Sequence, residues 1–364
     1  MRDLIVIGGG PAGTSAAITC ARKGARVLLI ERGRFPRQKV CGEFVSAESL
    51  TILVDLLAAQ HSRLLSEAVR IPHARLFLDG RTLHAPVDPP AVSIARLDLD
   101  QSLWDSAEQC GVETRQQTAA QKVSGTGPFL VKTAEGEFES RALINASGRW
   151  SNLNPESNGH NSTARWLGLK GHFAEPSPPV SADLYFFDGG YCGVQPVDSR
   201  DRAGESGRIN ACAMVRADVA STLPEVFRRH PMLQARSREW KPLSDPVSTS
   251  PLIFREPQPV RDGILLAGDA AAFVDPFVGD GISLALRSGR LAAECLTPFF
   301  AGGVSLPEAT QAYRRAYGRQ FTPVFRTSSK IRWMLTLPQA VRTPILSLVA
   351  KTPAITRYFV SKTR

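Results

Sequence analysis

Three short stretches of this 364-residue chain place reactive or ligand-holding residues at meaningful spacings. The first is Gly8-x-Gly10-x-x-Gly13, with Glu31 eighteen residues beyond. Glycines so spaced let a chain turn sharply out of a strand and lay backbone against a pyrophosphate. Gly8 serves the turn, Gly10 the close approach, and Gly13 the packing of the helix that follows. That helix, with Ala12 in its first turn, points amide donors and a partial positive charge at the phosphates. Glu31, with Arg32 behind it, ends the next apolar run, where a carboxylate can accept from both hydroxyls of a ribose. The chemistry implied is dinucleotide binding.

The second stretch is FPRQKVCGEFVS, residues 35–46, which crowds Arg37, Lys39, a thiol at Cys41, Gly42 and Glu43 into one turn. The third is GILLAGDAAAFVDPFVGDGISLALRSGRLAAECL, residues 263–296. Asp269 on its turn can hold a ribityl or ribose hydroxyl. A helix opening near Gly281 and Ile282 can offer amides to the pyrimidine edge of a flavin and stabilise its anionic reduced ring.

These residues need elements to hold them. DLIVIGGG reads as a buried strand, PAGTSAAITCARKG as a small-residue helix closed by glycine, and ARVLLIE as a second strand ending in an acid. That is a βαβ unit. ALINASGRWS, residues 142–151, reads as another apolar strand, ending at Ala146-Ser147-Gly148. SIARLDLDQSLWDSAEQCG, residues 93–111, places Arg96 before a helix with Leu99, Leu103 and Ala107 on one face.

GxGxxG with Glu31, the Ala-Ser-Gly turn and GDAAAFVDPFVGDGI, in that order, resemble the glutathione-reductase-like FAD fold of single-component flavoprotein monooxygenases and geranylgeranyl-reductase-like enzymes. The likeness covers roughly residues 1–300. It implies an α/β, α+β two-domain chain: a Rossmann-like FAD-binding domain, an interleaved antiparallel-sheet substrate domain and C-terminal helices. It also implies that the 35–46 turn runs beside the flavin. Gly42 and Glu43 would approach FAD by backbone, Arg37 and Lys39 would balance phosphate or reduced-flavin charge, Cys41 would lie near the isoalloxazine, and Arg96 would contact FAD.

The middle of the chain, RWLGLKGHFA, ADLYFFDGGYCGVQPVD and RINACAMV, has the turn-punctuated look of a sheet, with a turn at Gly189-Gly190. The resemblance implies that this sheet roofs the flavin, which makes Tyr191, Cys192, Gln195, His172 and Phe277 pocket candidates beside Cys41. Asp79-Gly80 reads as a hairpin turn. The segment GRWSNLNPESNGH lacks the Asp-Gly that aromatic hydroxylases use for NADPH, and the chain has no Trp-x-Trp, which disfavours halogenation. The expected domain pieces are 1–70, 93–160 and 255–300 for FAD, 71–92 and 161–254 for the sheet domain, and 301–364 as a basic helical segment.

Bulk composition bounds the rest. With 43% hydrophobic and 21% charged residues the chain builds a large core, and no apolar run or cleavable signal marks it for a membrane or export, so a soluble, cytoplasmic protein is expected. Six scattered cysteines, with no Cys-x-x-Cys, point to neither disulfides nor a metal site. The net charge of +10 is concentrated in residues 309–364, which hold eleven Lys or Arg and no Asp or Glu. Such a tail reads either as a helical cap or as an amphipathic surface for an anionic membrane or acidic partner. No nucleic-acid module accompanies it.

Three functions follow from the resemblance. One is an NAD(P)H-dependent monooxygenase acting on a hydrophobic aromatic, polyketide or lipid-like substrate through a flavin hydroperoxide. The alternatives are a reductase of isoprenoid C=C bonds and a non-catalytic flavin-bearing binding or electron-transfer protein. No acid or base is assigned from spacing.

Overall fold

The computed structural model describes residues 1–149, 153, 165–198, 207–249, 252, 254, 256–335 and 337. Most of GRWSNLNPESNGH and the end of the basic tail lie outside these. Two sheets organise the described residues. In the first, Ile264–Leu266, Gly136–Asn145, Arg2–Ile7, Val27–Ile30 and Glu113–Arg115 lie side by side and parallel. Leu4 to Ile7 and Leu28 to Ile30 are almost wholly buried, as expected of strands covered on both faces. The helices Pro11–Ala21 and Gly281–Phe300 pack against this core, close together because Gly289 admits the Ala12 carbonyl. A Cβ at Gly289 would stand 2.0 Å from that oxygen.

The second sheet runs in the order Lys241–Pro242, Trp166–Glu175, Gly207–Arg216, Gly190–Asp198, Ala182–Phe187, Val69–Leu78, Arg81–Ser93, Phe44–Val45. The α/β two-sheet architecture expected from the sequence is present. One junction departs from an antiparallel sheet: Ala182–Phe187 pairs parallel to Val69–Leu78, with Leu184 opposite Leu76. More than a hundred residues separate the two strands, long enough for a crossover that a hairpin cannot make. The Phe44–Val45 strand, from the segment assigned to the FAD domain, hydrogen-bonds into this second sheet, so the 35–46 turn crosses from one sheet to the other.

Register decides which residues of the second sheet face the first. Direct cross-strand partners share a face. Gly168, Met214 and Tyr191 form one row, Lys170, Cys212 and Gly193 the next, and His172, Asn210 and Gln195 a third. The opposite face carries Leu169, Cys192, Val194, Ala211, Ala213 and Val215 into a separate core, where Leu223, Val226, Phe227, Leu233 and Trp240 cover it.

Candidate functional site

A cavity of about 580 Å³ lies between the sheets. Its floor is the glycine turn. Gly8 has φ +108°, and a Cβ there would sit 2.4 Å from the Ala146 carbonyl, so only glycine lets this turn nest against the Ala-Ser-Gly turn. At Gly13 a Cβ would lie 1.7 Å from the Gly8 carbonyl, which is the close helix–strand packing read from the sequence. Gly10 differs from both. Its Cβ would meet nothing nearer than Arg96 Nη2 at 3.9 Å, so the missing side chain leaves open cavity. Gly8, Gly10 and Ala12 line it, while Gly13 does not. Gly9, not singled out from the sequence, is covered by the Trp104 ring, 2.5 Å from where a Cβ would be.

Glu31 and Arg32 also line the cavity. The Glu31 carboxylate already accepts from Gly9 N (2.8 Å), Gly33 N (2.8 Å) and Arg37 Nη2 (2.9 Å). With about four acceptor positions on a carboxylate, one remains for a ribose hydroxyl, where the sequence reading expected two. Arg37 is therefore bound at the ribose end and stacked on Phe35, with its guanidinium 4.9 Å from the ring centroid. Lys39 remains among the cations expected to meet phosphate. Burial, then Arg37 and Arg96, push its ammonium down to about 8. A lysine so depressed is charged below that pH and neutral above it. FAD binding should thus weaken as pH rises through about 8. Lys39→Met should weaken binding about tenfold at neutral pH, the size of one charge-assisted hydrogen bond, and flatten that profile. Fluorescence titration of the apoprotein across pH reads both effects.

The Gln38–Glu43 turn lies on the polar face of the second sheet, and Gly168 makes room: a Cβ there would be 2.9 Å from Val40 Cγ1. Glu43, in the left-handed region at φ +62°, is fully buried. Its carboxylate accepts from Arg96 N (2.8 Å) and pairs with Lys170 Nζ and with His172 Nε2 (2.7 Å). Its main chain is occupied too, with the amide donating to Cys41 Sγ at 3.3 Å and the carbonyl accepting from Ile94 N. Glu43 lines the cavity as well, and its side chain has a role the sequence did not show: its charge locks the turn to the sheet. Gly42 keeps an open side toward the cavity. Arg96 starts its helix, forms a two-pronged pair with Asp100 (2.7 Å each) and reaches Cys41 Sγ. Burial alone would depress the guanidinium; Asp100 more than restores it.

On the other side, Asp269 opens on the cavity, 39% exposed, with Arg149 at 3.6 Å. Arg149 lies over the Phe273 ring at 4.2 Å, and its Nη1 is buried without a hydrogen-bond partner. The 20-residue helix from Gly281 begins at the cavity wall, which Gly281 and Ile282 line. Its start is pinned by Asp280 and Ser283 to Ser46, at 2.8 Å and 2.7 Å. Burial pushes the Asp280 carboxyl up to about 6, despite that bond.

Of the pocket candidates, Tyr191 and Cys41 line the cavity; His172, Cys192, Gln195 and Phe277 do not. Cys192 faces the far core, because it is one residue out of phase with Tyr191. Gln195 and His172 share Tyr191's face farther along the sheet, where Gln195 donates to Ser93 Oγ (2.6 Å) and His172 holds Glu43. Phe277 stands edge-on to Tyr191, 6.1 Å between centroids, as its support. Cys212, Met214 and Phe273 line the cavity but were not foreseen. Cys212 Sγ lies against the Cys41 main chain, and burial pushes its thiol up to about 12. Lys170 and Asn210 were also missed, although Lys170 sits two residues before His172 and therefore on the same strand face.

These residues fit a flavin dinucleotide. The open Gly10 side takes backbone-to-phosphate approach, Glu31 and Asp269 are acceptors for sugar and ribityl hydroxyls, and a helix start stands at each end. Comparison with known proteins agrees. The chain is 29% identical over 324 residues to the menaquinone reductase of Mycobacterium tuberculosis (strain ATCC 25618 / H37Rv), covering 81% of this chain and 76% of the relative. It is 25% identical over 344 residues to digeranylgeranylglycerophospholipid reductase 2 of Methanopyrus kandleri, covering 90% and 85%. The structure of the flavin-dependent brominase Bmp2 shares its fold, with a TM-score of 0.74 at 22% identity over 99% and 98% of the two chains. Residues 1–322 match the FAD binding domain family, and the chain accordingly belongs to that family as an FAD-dependent oxidoreductase.

Proposed function

We propose that the protein is a reductase that adds hydrogen across a carbon–carbon double bond of a hydrophobic, isoprenoid-type substrate. The observation that carries this reading is the sulfur-rich cavity wall: Cys41, Cys212 and Met214 all line it. Thioethers and accessible thiols oxidise readily, so a site that activates oxygen would do so against Met214 and Cys41 in its own wall, the raised Cys212 thiol being the less reactive. That weighs for the reductase over the oxygen-using reading drawn from the sequence. The names of the two sequence relatives, a menaquinone reductase and a digeranylgeranylglycerophospholipid reductase, support the same substrate class.

FAD held in this cavity would, once reduced, supply a hydride. The chain's own residues do the remainder. Tyr191, Met214, Leu252 and Phe273 give the substrate an apolar bed that excludes water. Cys41 Sγ holds the proton for the second carbon, and the Arg96 guanidinium and Glu43 amide beside it meet the charge left on the sulfur. Solvent then returns the proton. NAD(P)H is the proposed electron source.

The test is anaerobic. Reduced holoprotein is mixed with a detergent-solubilised menaquinone or polyprenyl lipid, flavin reoxidation is followed, and the product is weighed. The reading requires reoxidation with a product that stays heavier by two hydrogens after any quinol has been re-oxidised to quinone, and Cys41→Ala should slow turnover by about a hundredfold or more while FAD content is unchanged. A product that forms only in air and gains an oxygen would instead establish the monooxygenase.

A further inference from the structure

The helices Leu306–Gln320 and Thr322–Leu335 follow the last cavity-lining segment and carry one acid between them, Glu308, which is engaged in capping the first helix at Ser305. Arg314, Arg315 and Arg319 are exposed on the first, and Arg326, Lys330 and Trp333 on the second. The last three are spaced i, i+4, i+7, which sets them in one stripe. Trp333 is 65% exposed. The opposite side is anchored: Phe321, Val324 and Phe325 are buried, and Ser328 Oγ donates to Asp275 at 3.2 Å. From residue 309 to the end the sequence holds no Asp or Glu to neutralise these cations.

The stripe ends at the cavity's aromatic margin. Arg332, beside Trp333, pairs with Asp275 at 3.3 Å and lies over the Phe254 ring at 4.0 Å. Phe254 is 5.3 Å from Phe273, which lines the cavity. Among the described residues no helix is long and apolar enough to cross a membrane.

We infer that this face docks the protein on an anionic bilayer, with Trp333 at the headgroup level and the cavity margin turned toward the lipid. Clustered cations are attracted by anionic headgroups, and an indole among them favours the bilayer interface. An acidic protein or a nucleic acid could use the same cations; the exposed indole among them, at the margin of an apolar cavity, favours the bilayer. The purpose of the surface, delivery of a lipid-like substrate, rests on the reductase reading; its existence does not.

The experiment sediments full-length holoprotein with vesicles of phosphatidylglycerol and phosphatidylcholine, and with phosphatidylcholine alone. The protein should pellet with the anionic vesicles only, and high salt should release it. Arg326→Glu/Lys330→Glu and, separately, Arg314→Glu/Arg319→Glu should each reduce the partition about tenfold or more. Both variants should keep wild-type FAD content and wild-type turnover of detergent-solubilised substrate, which separates this surface from the cavity chemistry. No partition onto anionic vesicles, undiminished partition of both folded variants, or preference for duplex DNA or polyglutamate over vesicles would overturn the inference.

Discussion

Gly10→Val should give a folded protein that purifies without FAD. The three motif glycines are alike in sequence and unlike in space. A Cβ at Gly13 would strike the Gly8 carbonyl at 1.7 Å and at Gly8 the Ala146 carbonyl at 2.4 Å, both unyielding backbone, so even alanine there should cost the fold. At Gly10 the nearest atom is the far end of Arg96, 3.9 Å away. Valine can be accommodated by the chain itself, and its methyls fill the space where phosphate would meet the helix start. Losing two such charge-assisted hydrogen bonds, about 1.5–3 kcal/mol each, predicts affinity lower by about two to four orders of magnitude. Flavin absorbance of the purified variant and FAD titration of the apoprotein measure the loss, and a melting temperature close to that of wild-type apoprotein shows that the fold survives. Full flavin occupancy in Gly10→Val would remove the basis for placing the pyrophosphate there.

Lys170→Met should be the most destabilising single change in the second sheet. Lys170 is 1% exposed and Glu43 fully buried, and they meet with His172 beneath the Gln38–Glu43 turn. Removing Lys170 leaves the buried Glu43 carboxylate with only His172 and the Arg96 amide to meet its charge, at a cost of up to about 3–5 kcal/mol. Glu43→Gln should cost a similar amount by stranding the ammonium. The double variant should lose much less than the sum, because neither charge is then left alone. Urea unfolding of the four apoproteins closes this cycle; additive losses, or single losses below about 0.5 kcal/mol, would mean the pair does not couple.

The acid limb has a definite sign. Burial would raise the Glu43 carboxyl, but the His172 hydrogen bond and the Lys170 charge outweigh it and hold it below the ordinary carboxylate range. Its contribution to stability is therefore complete above the unfolded-state value of about 4.3 and is lost as pH falls through the lower folded value. Lys170→Met should shrink that acid-side loss as well as the stability at neutral pH.

The parts of the site legible in the sequence are local ones. Gly8 to Gly13 lie within one turn between strand and helix, and Arg96 and Asp100 are one helical turn apart, so chain geometry alone sets their relation. The Gly268-Asp269 turn and the helix at Gly281 are similarly short-range. Periodicity also marked the buried strands, since a run such as Leu4 to Ile7 can be stable only if covered on both faces.

What the tertiary structure decided is pairing between distant segments. The 35–46 stretch looked like a cofactor turn from its residue types, but nothing local says that Glu43 turns its charge away to meet Lys170, 127 residues on, or that Arg37 folds back on Glu31. Register chose Tyr191 for the cavity and sent Cys192 to the opposite core, because neighbours along a strand alternate faces. The same register brought Cys212 and Met214 to the cavity wall with Tyr191. Sequence alone determined that this chain binds a dinucleotide through a strand–turn–helix, because that contact is made by consecutive residues. Which thiols, rings and buried charges surround the reacting end was decided by how two sheets stack, through contacts that exist only once the chain has closed on itself.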